Sequence, residues 1–403
     1  FDNPYKYCDI NRKKEVYTSE NRNIARKTAA ESFVLLKNEN DLLPLNKKQT
    51  IAVVGPLANT RSNMVGTWSV VADLKTPATV VEGLQSVAGE NAKILYAKGC
   101  NLTTDSLLEA NATMFGRSLN RDSRTEEELR AEALKIAEKA DVIVAAMGES
   151  SEMSGEASSR VDISIPDVQK RLLKALLETG KPVVLVLFTG RPLTLVWENE
   201  NIPAILNVWF GGSEAAYAIG DVLFGDVNPS GKLVSTFPRS VGQIPLYYNH
   251  YTSGRPASGD TFEKYLSTYL DEKNSPLYPF GYGLSYTQFS YSDITLSSKI
   301  LNSNGEIEAS VTVTNIGKRD GNEVVQLYIR DILASVARPI KELKGFEKIQ
   351  LKAGESQIVK FKITPEMFKF YNSNLEYGFE PGEFEIMIGG NSQDIKSAKF
   401  ILK

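Results

Sequence analysis

The stretch TEEELRAEALKIAEKADVIVAAMG, residues 125–148, contains an amphipathic helix followed by an apolar run almost free of charge. Thr125 and Glu128 form a capping box, and apolar residues recur at helical spacing from Leu129 to Ala137. The run from Asp141 to Gly148 is typical of a strand that is buried on both faces. A helix that leads directly into such a strand is half of a βαβ unit.

Four further runs of the same kind occur in the first two-thirds of the chain. They are Ile51–Gly55, Lys93–Ala97, Pro182–Phe188 and Ala204–Phe210. Helical patterns separate or follow them, and two of these are a helix starting near Pro166 and ending at Gly180, and the segment Ser213–Gly225. This alternation predicts an open α/β sandwich with a mostly parallel sheet of five or six strands.

The last third of the chain has a different pattern. Residues 251–285 are rich in Gly, Pro, Ser and Tyr, which is typical of an ordered connector. From residue 286 onward, apolar and polar residues alternate with a period of two in the segments Glu306–Gly317, Asn322–Asp331, Ser356–Thr364 and Gly382–Gly390. Several short strands of this kind predict an all-β sandwich similar to an immunoglobulin or fibronectin type III domain.

The composition excludes several classes of function. With 46 basic and 49 acidic side chains, the net charge of −3 disfavours binding to nucleic acid or to an anionic membrane surface. One histidine, His250, and two cysteines, Cys8 and Cys100, are too few for multi-histidine zinc sites or iron–sulfur clusters. No apolar run approaches the ~20 residues of a membrane span. The chain starts at Phe1, as expected of a processed or excised piece.

Candidate chemistry is concentrated in GESSEMSGEASSR, residues 148–160, directly after the strand that ends the opening stretch. This loop contains Glu149, Glu152 and Glu156, and one arginine, Arg160. A glutamate in a cleft beside apolar groups can act as a general acid near neutral pH. Two interpretations stay open on the pattern alone: a catalytic loop, or a solvated acidic loop in which Glu156 pairs with Arg160 at i,i+4 spacing.

Other polar and aromatic candidates are less specific. Trp68 could stack on a sugar ring or pack in the core, and the pattern does not separate the two. His250 lies among aromatic residues without a serine or cysteine nucleophile motif, which favours a hydrogen-bonded structural role. Cys8 and Cys100 could form a disulfide or stay as thiols.

Six long strings together resemble glycoside hydrolase family 3, and within it the bacterial periplasmic β-glucosidase type. The strings are ESFVLLKNENDLLPL (31–45), IAVVGPLA (51–58), GKPVVLVLFTGRPLTL (180–195), VLFGDVNPSGKLVSTFPRSVGQIPLYYNH (222–250), YPFGYGLSYTQF (278–289) and RPIKELKGFEKIQLKAGES (338–356). The resemblance implies a connector over residues 1–18, an α/β sandwich over 19–250, a linker over 251–285 and a fibronectin type III-like domain over 286–403. It also implies a TIM-type barrel that supplies an aspartate nucleophile and that these residues do not contain.

Carried over to this sequence, the resemblance gives the acid/base role to Glu156, with Glu149 as the alternative. It places Trp68 beside the leaving group of the substrate. The spacing of Arg160 from Glu156 adds the expectation that Arg160 orients Glu156 or holds its charge state. The second catalytic carboxylate of a retaining mechanism has no counterpart here, so the 403-residue chain alone is expected to be inactive. No cofactor and no metal are expected.

The expected activity is therefore that of a retaining, exo-acting β-glucosidase on terminal β-D-glucosyl residues of oligosaccharides or glucosides. The alternatives are a β-xylosidase or another β-glycosidase of the same family, or a non-catalytic sugar-binding or adhesion protein. The expected location is the periplasm, reached through an N-terminal signal that is not in these residues. The resemblance leaves a monomer and a homodimer open, and neither nucleic acid nor a membrane is an expected partner.

Overall fold

The structure is a computed structural model that describes residues 2–3, 5–70, 72–257 and 259–403. It contains eight α-helices in the described part of the chain: α1 Lys13–Val16, α2 Ser19–Ser32, α3 Val80–Ala88, α4 Ser106–Asn111, α5 Glu126–Ala137, α6 Asp167–Glu178, α7 Val196–Asn201 and α8 Ala215–Leu223. The strands of the first domain are β1 Val34–Asn38, β2 Thr50–Val54, β3 Lys93–Ala97, β4 Val142–Gly148, β5 Val183–Phe188 and β6 Ala204–Asn207.

These six strands form one sheet in the order β1-β6-β5-β4-β2-β3. All neighbouring pairs are parallel except β1 with β6, which is antiparallel. The predicted α/β sandwich with a mostly parallel sheet is therefore confirmed. The capping box of Thr125 and Glu128 is also present and begins α5.

Helices cover both faces of the sheet, and alternate residues of each strand point to opposite faces. Val144 of β4 packs in one core cluster with residues of α2, α3 and α8. Its neighbour Ala145 packs in a second cluster with residues of α5 and α6. Because β4 and β5 are buried along their whole length, they hold the loops at their carboxyl ends on a rigid base.

The second domain is built from β-strands. These are β7 Phe289–Tyr291, β8 Thr295–Leu296, β9 Ile300–Leu301, β10 Ile307–Asn315, β11 Gly321–Asp331, β12 Glu342–Leu351, β13 Ser356–Ile363, β14 Phe370–Tyr371, β15 Tyr377–Gly378, β16 Gly382–Gly389 and β17 Ile395–Leu402. A four-stranded sheet containing β10 and a five-stranded sheet containing β11 enclose a third apolar core, and β14 and β15 form a separate hairpin. The predicted all-β sandwich is confirmed.

Polar contacts join the sandwich to the first domain and to the segment between the domains. Lys232 donates to the carbonyl oxygen of Gly283 at 2.9 Å and pairs with Glu323 of β11 at 3.2 Å. Gln326, also on β11, donates to the carbonyl oxygen of Gly281 at 3.1 Å. Aromatic contacts add to these bonds, since the ring of Tyr248 stacks on Phe280 at 4.2 Å and lies edge-on to Tyr328 of β11 at 5.9 Å.

Candidate active site

The acidic loop begins at a fixed point at the carboxyl end of β4. The main-chain nitrogen of Gly148 donates to Oε1 of Gln169 at 2.8 Å, and Nε2 of Gln169 donates back to the carbonyl oxygen of Gly148 at 3.0 Å. Gln169 lies on α6 and is fully buried. Gly148 has a φ of +120°, which favours glycine, and the chain leaves the strand there. The sheet and α6 thus set the direction in which the loop departs.

Glu149 is fully buried, with 0% of its side chain exposed. Its Oε1 pairs with Nη1 of Arg160 at 2.8 Å and with Nε of Arg191 at 3.1 Å. Its Oε2 accepts a hydrogen bond from Oγ1 of Thr189 at 2.8 Å. A carboxylate enclosed in this way has no free face for a substrate, so the structure argues against Glu149 as the alternative acid/base.

Arg160 does not contact Glu156, and the predicted pairing of these two side chains is wrong. Besides its bond to Glu149, Arg160 donates to the carbonyl oxygen of Ser164 at 3.0 Å. The i,i+4 spacing would bring the side chains together only on a helix. The backbone is not helical there, because Gly155 and Ala157 have φ values of +112° and +56°. Arg160 therefore supports the base of the loop.

Glu152 is the second buried carboxylate of the loop. It pairs with Nε of Arg117 at 3.1 Å, and only 7% of the Glu152 side chain and 6% of the Arg117 side chain are exposed. The sequence pattern identified neither Arg117 nor Arg191 as part of this region. Arg191 donates to the carbonyl oxygens of Met153 and Ser158, the latter at 2.6 Å, so both arginines bond directly to the loop.

Glu156 is the exposed carboxylate at the tip of the loop. Its carboxylate forms no hydrogen bond or ion pair with any residue that the structure describes, whereas Glu149 and Glu152 are both paired. The small residues on either side let the tip lie close to its neighbour. A Cβ atom placed on Gly155 would be 2.5 Å from Cγ2 of Thr67. Glycine is therefore required at this contact.

Trp68 follows Thr67 directly and is 70% exposed, so it is not a core residue. Its turn lies in the loop region between β2 and α3, at the same edge of the sheet as the acidic loop. The structure thus brings the turn of Trp68 and the tip carrying Glu156 into contact through Thr67 and Gly155. An exposed indole can stack on an apolar sugar face, and an exposed carboxyl group can exchange a proton with an oxygen of a bound ligand.

Other candidates lie outside this edge. His250 is exposed, with Nδ1 2.9 Å from the carbonyl oxygen of Tyr251. Cys100 is a buried thiol that forms no disulfide, and burial raises its pKa. In the described part of the chain no group of three or more His, Cys, Asp or Glu side chains could hold a metal ion. None of the described helices has the length and apolar character to cross a bilayer.

Arg191 also lines a cavity of about 450 Å³. Its walls come mostly from the segment that follows α8, and they include Val234, Ile244, Leu246, Tyr247, Tyr248 and Phe280. Pro192 and Ile163 complete the apolar lining next to the arginine. Arg191 both lines this cavity and donates a hydrogen bond to the acidic loop.

Two family descriptions match the chain. The glycosyl hydrolase family 3 C-terminal domain matches residues 33–286, and the fibronectin type III-like domain matches residues 323–392. The first match covers the sheet, the arginines paired with Glu149 and Glu152, and the loop that carries Glu156. The second lies within the all-β sandwich.

Several known proteins resemble the chain over its full length. A periplasmic β-glucosidase of Salmonella typhimurium is 49% identical over 406 residues, covering 100% of this chain and 53% of that protein. A β-xylosidase of Formosa agariphila is 40% identical over 397 residues, covering 96% of this chain and 51% of that protein. The crystal structure of a β-glucosidase from Listeria innocua in complex with isofagomine has a TM-score of 0.88 at 39% identity, covering 100% of this chain and 53% of that one. The chain thus spans about half the length of these relatives, and it belongs to glycoside hydrolase family 3.

Proposed function

We propose that this chain supplies the acid/base residue, Glu156, and one wall of the leaving-group site, Trp68, to a retaining, exo-acting β-glucosidase. The proposal rests on the different burial and pairing of the three loop carboxylates. Glu149 and Glu152 are buried and paired with arginines, whereas Glu156 is exposed on a loop that contacts the turn carrying the exposed Trp68. A carboxyl group that must reach a glycosidic oxygen has to be presented in this way.

The mechanism needs a second carboxylate about 5–5.5 Å from the first. We propose that an aspartate of a barrel domain attacks the anomeric carbon while Glu156 protonates the leaving oxygen. Glu156 then removes a proton from the water that hydrolyses the glycosyl-enzyme intermediate.

Glucose is the proposed sugar at the cleavage position. The 49% identity to a protein named as a β-glucosidase supports it. A β-xylosidase is the second candidate, because a relative of that name is 40% identical. Nitrophenyl β-glucoside and nitrophenyl β-xyloside, compared by kcat/KM in the protein with its barrel domain, discriminate between them. A higher value for the glucoside supports the first assignment.

A periplasmic location is part of the proposal and is supported by the periplasmic relative. Cell fractionation, with a cytoplasmic and a periplasmic marker enzyme measured in parallel, tests it. A homodimer is not part of the proposal, since nothing in the described surface specifies one.

The direct test is Glu156→Gln in the protein with its barrel domain in place. We expect a loss of about 10²- to 10⁴-fold in kcat/KM for cellobiose, whose leaving group needs a proton. Dinitrophenyl β-glucoside has a leaving group that departs without one, so its glycosylation step should be nearly unaffected. Glu127→Gln, an exposed glutamate on α5, is the matched control and should leave both substrates unchanged.

Two results would refute this assignment. One is an equal effect of Glu156→Gln on both substrates. The other is the expected pattern for Glu149→Gln but not for Glu156→Gln. Strong glucan binding without hydrolysis by the protein with its barrel domain would instead support a non-catalytic sugar-binding protein.

A further inference from the structure

A single buried arginine contacts both loops of the candidate site. Arg117 lies between α4 and α5, and its side chain is 6% exposed. Its Nη2 donates to the carbonyl oxygens of Gly66 and Thr67 at 3.1 and 3.3 Å and to Oγ of Ser69 at 3.2 Å. These three acceptors surround Trp68 in sequence.

The other side of the same guanidinium faces the acidic loop. Nε of Arg117 lies 3.1 Å from Oε1 of Glu152, which is also buried. Glu152 is four residues before Glu156 along the loop. Arg117 therefore ties the turn of Trp68 to the loop of Glu156 through one rigid planar group.

Uncharged contacts also pack the turn of Trp68 against the acidic loop. Oδ1 of Asn63 accepts a hydrogen bond from the main-chain nitrogen of Ser151 at 2.7 Å. Thr67 occupies the space that a side chain on Gly155 would need. Arg117 differs from these contacts because it carries a charge and because the N–H groups of its planar guanidinium point in fixed directions. A lysine would keep the charge but would lose the planar set of guanidinium N–H donors.

We propose that Arg117 is a positioning residue that sets the separation of Trp68 and Glu156. This inference rests on the proposed function, since it assumes that both side chains act on the same leaving group. Trp68 holds the leaving sugar and Glu156 protonates the oxygen that joins it to the cleaved residue. If the two loops shift apart, the acid no longer lies within hydrogen-bond reach of that oxygen while the sugar is stacked.

The consequence is a defect that depends on the leaving group. A substrate that needs protonation loses rate when the acid is displaced, and an activated substrate does not. A variant that merely lowers the fraction of folded enzyme reduces both rates by the same factor. The ratio of kcat/KM for dinitrophenyl β-glucoside to kcat/KM for cellobiose therefore reports positioning independently of stability.

The experiment measures this ratio in the protein with its barrel domain, for wild type, Arg117→Met, Arg117→Lys, Glu152→Gln and Glu156→Gln. We expect the ratio to rise by about tenfold to hundredfold for Arg117→Met. Arg117→Lys should give a smaller rise. Glu152→Gln keeps the shape of the partner and should change the ratio in the same direction, so the test remains decisive if Arg117→Met does not fold.

The matched control is Arg121→Met. Arg121 lies four residues further on and pairs with Glu109 at 2.5 Å, and it also donates to the carbonyl oxygen of Thr103 at 3.0 Å. It touches neither loop of the candidate site, so its loss should leave the ratio unchanged.

Two outcomes have different meanings. An unchanged ratio in the foldable Arg117 and Glu152 variants, with a raised ratio in Glu156→Gln, overturns the positioning role and leaves the proposed function standing. An unchanged ratio in Glu156→Gln itself refutes the proposed function, and the positioning role falls with it.

Discussion

Replacing Glu149 with alanine is expected to lower the free energy of unfolding by about 3 kcal/mol, because it leaves two guanidinium groups beside a cavity without their anion. Removing one partner of a buried ion pair costs about 3–5 kcal/mol. The lower end applies here, since the side chains of Arg160 and Arg191 are 17% and 21% exposed and can regain part of their hydration. The lost hydrogen bond from Thr189 acts in the same direction.

For a domain of roughly 250 residues, this loss corresponds to a fall of about 6–12 °C in Tm. The assay is urea unfolding and thermal unfolding of the 403-residue chain, followed by circular dichroism. The matched control is Glu156→Gln in the same chain. Because Glu156 is exposed and its carboxylate has no partner among the described residues, its replacement should stay within about 0.5 kcal/mol of wild type.

Comparing the two variants distinguishes a carboxylate that stabilises the loop, Glu149, from one that is exposed to substrate, Glu156. If Glu149→Ala unfolds within about 1 kcal/mol of wild type, the buried pairs do not hold the loop as the geometry indicates. If Glu156→Gln is as destabilising as Glu149→Ala, Glu156 is not free for catalysis. Either result would refute the division of roles among the loop carboxylates.

Two further predictions concern Trp68 and Glu198. Trp68→Ala should leave stability within about 0.5 kcal/mol of wild type, because the indole is exposed. In the protein with its barrel domain it should raise KM for cellobiose about fivefold, which corresponds to a stacking contribution of about 1 kcal/mol; an unchanged KM would remove Trp68 from the substrate site. Glu198 on α7 is fully buried, and desolvation raises its pKa above the ordinary value of 4.5, opposed by Lys170 at 3.4 Å. A carboxyl group with a raised folded-state pKa loses its contribution to stability as pH rises, so Glu198→Gln should become more stable relative to wild type between pH 4.5 and 7.5 in urea unfolding. A difference that is constant or falls over this range would contradict the burial argument.

The central strands and the helix before β4 could be predicted from sequence because their signals are local. A buried parallel strand is a run without charge, and a capping box fixes the first turn of its helix. Strand β1 gave no such signal. It is an edge strand that contains Lys37, and its antiparallel partner β6 lies far along the chain. Strand β12 is similar, because most of its residues are partly or fully exposed and many carry charge.

The candidate site could be predicted only in part. Clustered glutamates among small residues marked the loop, but the pattern could not tell which carboxylate is buried. The pairing of Glu156 with Arg160 relied on helical spacing, which the positive φ values at Gly155 and Ala157 exclude. Arg117 lies in a segment without periodicity, and its partners are brought to it by the sheet, so nothing local identified it.

Azide rescue of Glu156→Gln tests directly whether Glu156 is the acid/base residue. In the protein with its barrel domain, the variant should accumulate glucosyl-enzyme from dinitrophenyl β-glucoside, because no base activates water. Azide needs no base, so it should attack the anomeric carbon, release the nucleophile carboxylate and restore turnover. We expect β-glucosyl azide, identified by its anomeric proton in NMR, from Glu156→Gln and not from Glu127→Gln. No rescue by azide, or α-glucosyl azide as the product, would contradict the assignment of Glu156 as the acid/base of a retaining enzyme.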